Sequence, residues 1–286
     1  MRCIGLMIAK ALSSAGASKV YILGRRKEKL SSAASQHANL IPVQCDITSK
    51  SSLQSAVDYI THDAGHINLF VANSGILGPF ATILPTQTAA EVRKNMFEDA
   101  SMEDFTNTFN LNVTANYFSI MAFIELLDKG NKVAVKGEGK EGQSGAYGKA
   151  LKAGGNVPSI QSQVIITSSV GAYLRDCLCP PAYAGSKAAV VHLVKQSSTV
   201  LAGLGIRVNG LAPGFFPSEM AEGLIKGRDP GTEGIDDQQF IPARRFGGQE
   251  EMGGTVLYLA SRAGSFCNGL ILVNDGGRLA VTMSTY

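Results

Sequence analysis

The sequence predicts an α/β fold in which helices flank a doubly wound parallel sheet. Two observations predict it. Short apolar segments typical of strands alternate with helical segments along the 286 residues, as in chains of β-α units. Polar or glycine-containing residues follow the predicted strands, and ligands of such sheets bind beyond the carboxyl ends of the strands. We therefore expect one shared site there, which includes Arg25, Asp46, Asn73, Ser169 and Pro213-Gly214.

In the first half of the chain, apolar spacing predicts a helix over residues 4–12 that ends before Gly16. Strands are predicted over residues 20–23, 41–45 and 67–71. Ser51 is the expected N-cap of the helix before the third of these strands. Residues 79–100 are polar and loop-like, which we interpret as an insertion.

In the second half, Ser101 and Asp104 resemble a capping box and predict a helix that runs to about residue 127. Residues 136–156 are rich in Gly and Lys without apolar periodicity, so a surface loop is expected. A buried helix is predicted from Tyr183. The remaining predicted strands cover residues 164–167, 206–209 and 270–273.

Composition narrows the possible functions. Apolar residues make up 45 % of the chain and charged residues 17 %, which fits a globular chain of one α/β domain or two smaller ones. Of these we expect a single domain over residues 1–286. The net charge of +3 argues against nucleic acid or an anionic membrane as a partner. Five cysteines without framework spacing suit a reducing compartment, so a cytoplasmic location is expected. His62 and His66 have a metal-ligand spacing, but Gly65 interrupts their helix and we expect no metal site.

Tyr183 and Lys187 form the candidate catalytic pair. Residues four apart lie on the same face of a helix. A nearby cation stabilises the ionised form of a phenol, so Tyr183 could exchange a proton with a substrate oxygen near neutral pH. The Tyr-x-x-x-Lys spacing alone is weak evidence, because many such pairs are solvated helix faces. Other motifs in the chain strengthen it.

These other motifs are Ser169 in ITSSVG, Asn112 in LNVT, Asn73 in ANSG, IRVNGLAPG at 206–214 and NDGG at 274–277. With Tyr183 and Lys187 they make the chain resemble the classical short-chain dehydrogenase/reductase family over nearly its whole length. It is most similar to fungal 3-oxoacyl-reductase-like enzymes of secondary metabolism. The resemblance implies a Rossmann-like sheet and hydride transfer between NADP(H) and a ketone or secondary alcohol, with an apolar secondary metabolite as substrate. It also implies a homodimer or homotetramer.

The same resemblance implies residue roles. Tyr183 would be the acid/base, and Ser169 would hydrogen-bond the substrate carbonyl. Lys187 would lower the pKa of Tyr183 and hold the nicotinamide ribose, while Asn112 would anchor a water between Lys187 and solvent. Because Ser168 is adjacent in sequence, it stays an alternative to Ser169.

Cofactor preference is inferred from the end of the first predicted strand. NAD-using members carry an acidic residue there, whereas this chain has Gly24 followed by Arg25 and Arg26. Guanidinium groups suit a 2′-phosphate, which favours NADP(H); a solvated basic turn is the alternative. Asp46 would meet the adenine amino group and Ser218 the nicotinamide carboxamide. The full set of implied cofactor-binding residues is Ile4, Gly5, Arg25, Asp46, Asn73, Tyr183, Lys187 and Ser218.

The chain departs from the family pattern at its beginning. The family has a central strand followed by a glycine loop that cradles the pyrophosphate. Here that first strand is missing, only Gly5 of the glycines is present, and Cys3 stands where the second is expected. The neighbours of the strand would be left unpaired. We expect either a truncated N-terminus or, as the alternative function, a catalytically impaired protein that senses dinucleotides or binds other proteins.

Overall fold

The structure is a computed structural model that describes residues 3–35, 37–80, 83–136, 160–176 and 179–286. Apart from residue 136, the surface loop predicted over residues 136–156 lies outside these ranges. Six parallel strands alternate with helices, as the sequence predicts. The strands are β1 Val20–Gly24, β2 Leu40–Gln44, β3 Leu69–Ala72, β4 Gln163–Thr167, β5 Arg207–Pro213 and β6 Ile271–Asn274.

Helices precede, connect and follow these strands. None of the helices within the described ranges is long and apolar enough to cross a membrane. The helices are α1 Ile4–Ser14, α2 Lys27–Ala34, α3 Lys50–Asp63, α4 Ala89–Arg93, α5 Met102–Phe109, α6 Asn116–Ala122, α7 Ile124–Lys136, α8 Pro181–Val200, α9 Glu222–Ile225, α10 Gln249–Ala260 and α11 Arg278–Val281, with two π-helical segments at Lys94–Glu98 and Asn110–Ala115.

Helices cover both faces of the larger sheet, so the predicted doubly wound architecture is confirmed. On one face, Val190 and Val194 of α8 pack with Ile120 of α6 against the sheet. On the other face, α1 and α10 pack together, with Ile8 and Met252 in their shared core. Strands β4 and β5 are buried along their whole length, as expected for strands covered on two sides.

The strands form two separate parallel sheets, one of order β1-β2 and one of order β3-β4-β5-β6. Within the described residues, β1 pairs only with β2 and β3 pairs only with β4. One edge of β1 and one edge of β3 line a cavity of about 1920 Å³. One side of β1 and one side of β3 are therefore unpaired among the described residues, as expected. This cavity also includes the candidate site.

Three local predictions were wrong. Residues 79–100 are not a plain loop, because α4 and the first π-helical segment lie there, and Thr88 and Glu91 form a capping box at the start of α4. Ser49, not Ser51, caps α3 by accepting a hydrogen bond from the Ser52 amide. Ser101 caps α5 as predicted, but the helix does not run unbroken to residue 127. The second π-helical segment divides α5 from α6, and α7 extends to residue 136.

Candidate active site

Strand β4 and helix α8 bring Ser169, Tyr183 and Lys187 together. Ser169 lies just beyond β4, where its hydroxyl accepts a hydrogen bond from the Gly171 amide at 3.1 Å and is close enough to the Tyr183 side chain to lower the pKa of Tyr183. Helix α8 starts at Pro181, a residue suited to the first helical position. Tyr183 therefore lies in the first turn of α8, beside the carboxyl end of β4.

The neighbouring serine points elsewhere. The Ser168 hydroxyl is buried and donates to the backbone carbonyl of Lys187 at 2.8 Å. Its amide donates to the carbonyl of Leu211 in β5. Ser168 therefore ties α8 and β5 to the end of β4, whereas Ser169 contacts Tyr183. The Ser168 hydroxyl is thus already bonded to the main chain, and Ser168 lines the cavity.

Burial controls the proton affinities of the catalytic pair. It raises the pKa of Tyr183 to about 12, against the opposing effect of the Ser169 hydrogen bond. It lowers the pKa of Lys187 to about 8. The Lys187 ammonium donates to the Thr167 carbonyl at 2.9 Å and lies 5.8 Å from the centre of the Tyr183 ring. Burial is thus the largest influence on the pKa of Tyr183, and Lys187 is not among the groups that shift this pKa.

Asn112 lies in the second π-helical segment, beside the catalytic pair. Its side-chain carbonyl accepts from the Ile76 amide at 2.8 Å, and its amide donates to the Ile76 carbonyl and to the Ser186 hydroxyl. A Cβ on Gly75 would lie 3.1 Å from Asn112 Oδ1 and 3.4 Å from Lys187 Nζ. The main chain at Gly75 thus passes close to both groups, which brings Asn112 near Lys187.

Sequence reasoning missed Asn116, which holds this region together. Its side-chain amide is within hydrogen-bond distance of the carbonyls of Ser74, Leu111 and Asn112. It thereby joins the loop after β3 to the π-helical segment that carries Asn112. The one available signal was the spacing of four between Asn112 and Asn116 in an apolar helical run.

The predicted cofactor residues line one continuous cavity. Ile4 and Gly5, at the start of α1, face the end of β3, where Asn73 lies. The Asn73 Oδ1 atom is buried and has no hydrogen-bond partner among the described residues. The other end of the cavity is bordered by Arg25, Arg26, Lys29, Asp46 and Ser218, and its floor includes Tyr183 and Lys187.

Asp46 and Ser218 are held by local hydrogen bonds. The Asp46 carboxylate accepts from the amide and hydroxyl of Thr48, which lowers the pKa of Asp46. The Ser218 hydroxyl accepts from the Ala221 amide at 3.1 Å. Arg25 is exposed, and its carbonyl accepts from the Gln44 side chain. These contacts leave the Arg25 guanidinium exposed at the cavity edge.

The residues present fit a nicotinamide dinucleotide. The cavity has a basic end, a partnerless buried amide oxygen at Asn73, and a proton-transfer cluster at Tyr183 and Lys187. Its volume of about 1920 Å³ exceeds the ~300–1,000 Å³ of ordinary ligand pockets, since it joins the ligand cleft to the gap between the sheets.

Comparison with known proteins identifies the family. Residues 1–137 match the family described as short chain dehydrogenase, and residues 144–278 match enoyl-(acyl carrier protein) reductase. The chain is 59 % identical to the short-chain dehydrogenase/reductase SAT3 of Stachybotrys chartarum, over 98 % of this chain and 100 % of that protein. It is 44 % identical to PhomF′ of Diaporthe leptostromiformis, over 99 % and 90 % of the two chains. The chain belongs to the short-chain dehydrogenase/reductase family of oxidoreductases.

Solved structures agree with the fold. A short-chain type dehydrogenase/reductase from Mycobacterium marinum superimposes with a TM-score of 0.72 at 27 % identity, covering 96 % of this chain and 91 % of that one. A gluconate 5-dehydrogenase from Burkholderia cenocepacia, solved with NADP and tartrate, gives a TM-score of 0.71 at 24 % identity, covering 98 % and 92 %. The Rossmann-like fold class is therefore confirmed.

Proposed function

We propose that the protein is an NADP(H)-dependent reductase that transfers hydride between the nicotinamide and a ketone or secondary alcohol. The observation that carries this proposal is the continuity of one cavity. It runs from the basic residues at the end of β1 to Tyr183 and Lys187 at the start of α8. A cofactor phosphate and a reacting carbonyl could thus be bound in the same cleft.

The bound nicotinamide would supply the hydride, and the residues of this chain would manage the proton and the carbonyl. Ser169 would donate a hydrogen bond to the carbonyl oxygen as negative charge develops on it. Tyr183 is neutral at physiological pH because burial raises its pKa, so its hydroxyl is ready to donate a proton to that oxygen. Lys187 and Asn112 would connect Tyr183 to the ribose and to solvent.

Preference for NADP(H) follows from charge. Arg25, Arg26 and Lys29 border the cavity just beyond β1. Arginine binds phosphate through a forked set of donors, and a lysine adds a compact positive charge. A 2′-phosphate would contact these groups, whereas the 2′-hydroxyl of NAD(H) would leave them without an anion. Asp46 and Ser218, on the same cavity wall, would contact the adenine and the carboxamide.

An apolar secondary metabolite is the substrate class we propose. Support comes from Met220, which lines the cavity from the segment after β5, and from the high identity to fungal relatives. Phe216, by contrast, packs in the core beneath that segment and does not line the cavity. We also propose a cytoplasmic location, since Cys3, Cys45, Cys179 and Cys267 are all free thiols.

A homodimer or homotetramer would use the helices that begin near Ser101 and Tyr183. Met102 and Phe105 on α5 are 88 % and 43 % exposed, and Tyr117 and Phe118 on α6 are also exposed. Exposed apolar groups of this kind are typical of interfaces. Light scattering at micromolar concentration should give twice or four times the monomer mass of 30.1 kDa. A monodisperse monomer would refute this part of the proposal.

Turnover tests the function directly. NADPH oxidation should be measured with a panel of apolar ketones, for the wild type and for Tyr183→Phe, which keeps the ring and removes the hydroxyl. We expect turnover by the wild type and a loss of about 10²–10⁴-fold in the variant. NADPH binding without turnover on any ketone would instead support the catalytically impaired alternative.

A further inference from the structure

The segment that follows β5 is tied to helix α2 by one carboxylate. Glu219 Oε2 accepts from both terminal nitrogens of Arg26, at 3.1 and 3.2 Å. Glu219 Oε1 accepts from Lys29 Nζ at 2.6 Å. Glu219 is 193 and 190 residues from these partners in sequence. This ion cluster therefore connects two distant parts of the chain across the mouth of the cavity.

The cations in this cluster are the ones that the proposed function assigns to the cofactor. Arg26, Lys29, Ser218 and Glu219 all line the same cavity as Tyr183. The carboxylate of Glu219 brings a single negative charge and two acceptor oxygens to Arg26 and Lys29. A phosphate monoester carries about −1.5 to −2 charges and three acceptor oxygens. It would therefore bind the same two cations more strongly than the carboxylate does.

We propose that Glu219 competes with the 2′-phosphate of the cofactor for Arg26 and Lys29 and so limits the preference for NADPH over NADH. This inference rests on the proposed function. When the phosphate binds these cations, Glu219 is displaced and the segment 217–221 is released from α2. NADH has no 2′-phosphate, cannot displace the carboxylate, and leaves the segment tethered. Because only NADPH must break this contact, Glu219 reduces the difference in affinity between the two cofactors that Arg26 and Lys29 would otherwise produce.

The exposure of the three charged side chains sets the expected size of the change in NADPH affinity. The side chains of Arg26, Glu219 and Lys29 are 62 %, 45 % and 38 % exposed. Exposed ion pairs change equilibria by about two- to fivefold, and this change decreases as salt screens the charges. Removal of the Glu219 charge should therefore tighten NADPH binding by about two- to fivefold at low salt, with a smaller change at high salt.

Glu219→Gln tests this, since it keeps the shape of the side chain and removes its charge. Glu222→Gln is the matched control, because Glu222 is an exposed carboxylate three residues after Glu219, at the start of α9. NADPH and NADH are titrated by fluorescence into both variants and the wild type. We expect tighter NADPH binding only in Glu219→Gln, with NADH affinity unchanged. Unchanged or weaker NADPH binding, or an equal gain for both cofactors, would overturn the inference.

A second measurement needs no cofactor. Release of the segment in Glu219→Gln should speed tryptic cleavage at the exposed Lys226, relative to the wild type and to Glu222→Gln. Equal cleavage in all three proteins would overturn the tether even if the wild type binds NADPH. A third outcome is faster cleavage of Glu219→Gln while none of the three proteins binds NADPH. That outcome would refute the proposed function and the cofactor role of Glu219, and the tether would then be a structural contact only.

Discussion

Asn116→Ala is expected to destabilise the protein by about 2–6 kcal/mol. The Asn116 side chain is 2 % exposed, and its amide nitrogen lies 2.9, 3.2 and 2.9 Å from the carbonyls of Ser74, Leu111 and Asn112. That nitrogen has two hydrogens, so at most two strong bonds are lost, at about 0.5–1.5 kcal/mol each. A buried carbonyl left without a donor adds about 1–3 kcal/mol.

The measurement is urea unfolding followed by far-UV circular dichroism. Asn110→Ala is the matched control, since Asn110 is exposed in the same π-helical segment. We expect the control to change the free energy of unfolding by less than about 0.5 kcal/mol. If Asn116→Ala were no more destabilising than Asn110→Ala, the conclusion that Asn116 fixes the loop after β3 to the Asn112 segment would be wrong.

Three further predictions concern burial, packing and helix propensity. Burial lowers the pKa of Lys187 from 10.5 to about 8, so the unfolded chain binds more protons between these values. As the pH rises from 8 to 10, the free energy of unfolding of the wild type in urea should therefore increase by about 1–3 kcal/mol relative to that of Lys187→Met. A difference between the two proteins that stays constant with pH would contradict this. Gly130→Ala places a Cβ 2.1 Å from the Ile67 carbonyl oxygen and should destabilise by about 1–3 kcal/mol. Gly254→Ala, with nothing within 4 Å of its Cβ, should stabilise α10 by up to about 1 kcal/mol in thermal unfolding.

Much of the fold could be predicted because its signals are local. Apolar runs such as the one in β4 identified all six strands to within a few residues, and Ser101 marked the start of α5. Of the residues expected to share a site at the strand ends, Arg25, Asp46 and Asn73 line one cavity, whereas Ser169, Pro213 and Gly214 are not among its lining residues. The expectation that two strands would each lack a neighbour agrees with β1 and β3, which each pair on one side only among the described residues.

The errors and omissions have physical causes that periodicity does not reveal. The second π-helical segment shifts the hydrogen-bond register by one residue, but the apolar spacing of the sequence continues through it. The sequence pattern therefore places Asn112 and Asn116 in one continuous helix. Ser49 and Ser51 are both good caps by type, and only the backbone decides that Ser49 binds the Ser52 amide. The pKa of Tyr183 depends most on burial, which a sequence pattern does not reveal.

Cofactor binding by the wild-type protein tests the central claim most directly. NADPH and NADH should be titrated separately by fluorescence under identical low-salt conditions. The basic residues Arg25, Arg26 and Lys29 at the cavity edge predict that NADPH binds at least about tenfold more tightly than NADH, since hydrogen bonds to charged groups contribute ~1.5–3 kcal/mol. Equal affinities would contradict the assignment of these residues to the 2′-phosphate. Failure to bind either dinucleotide would contradict the assignment of the cavity itself.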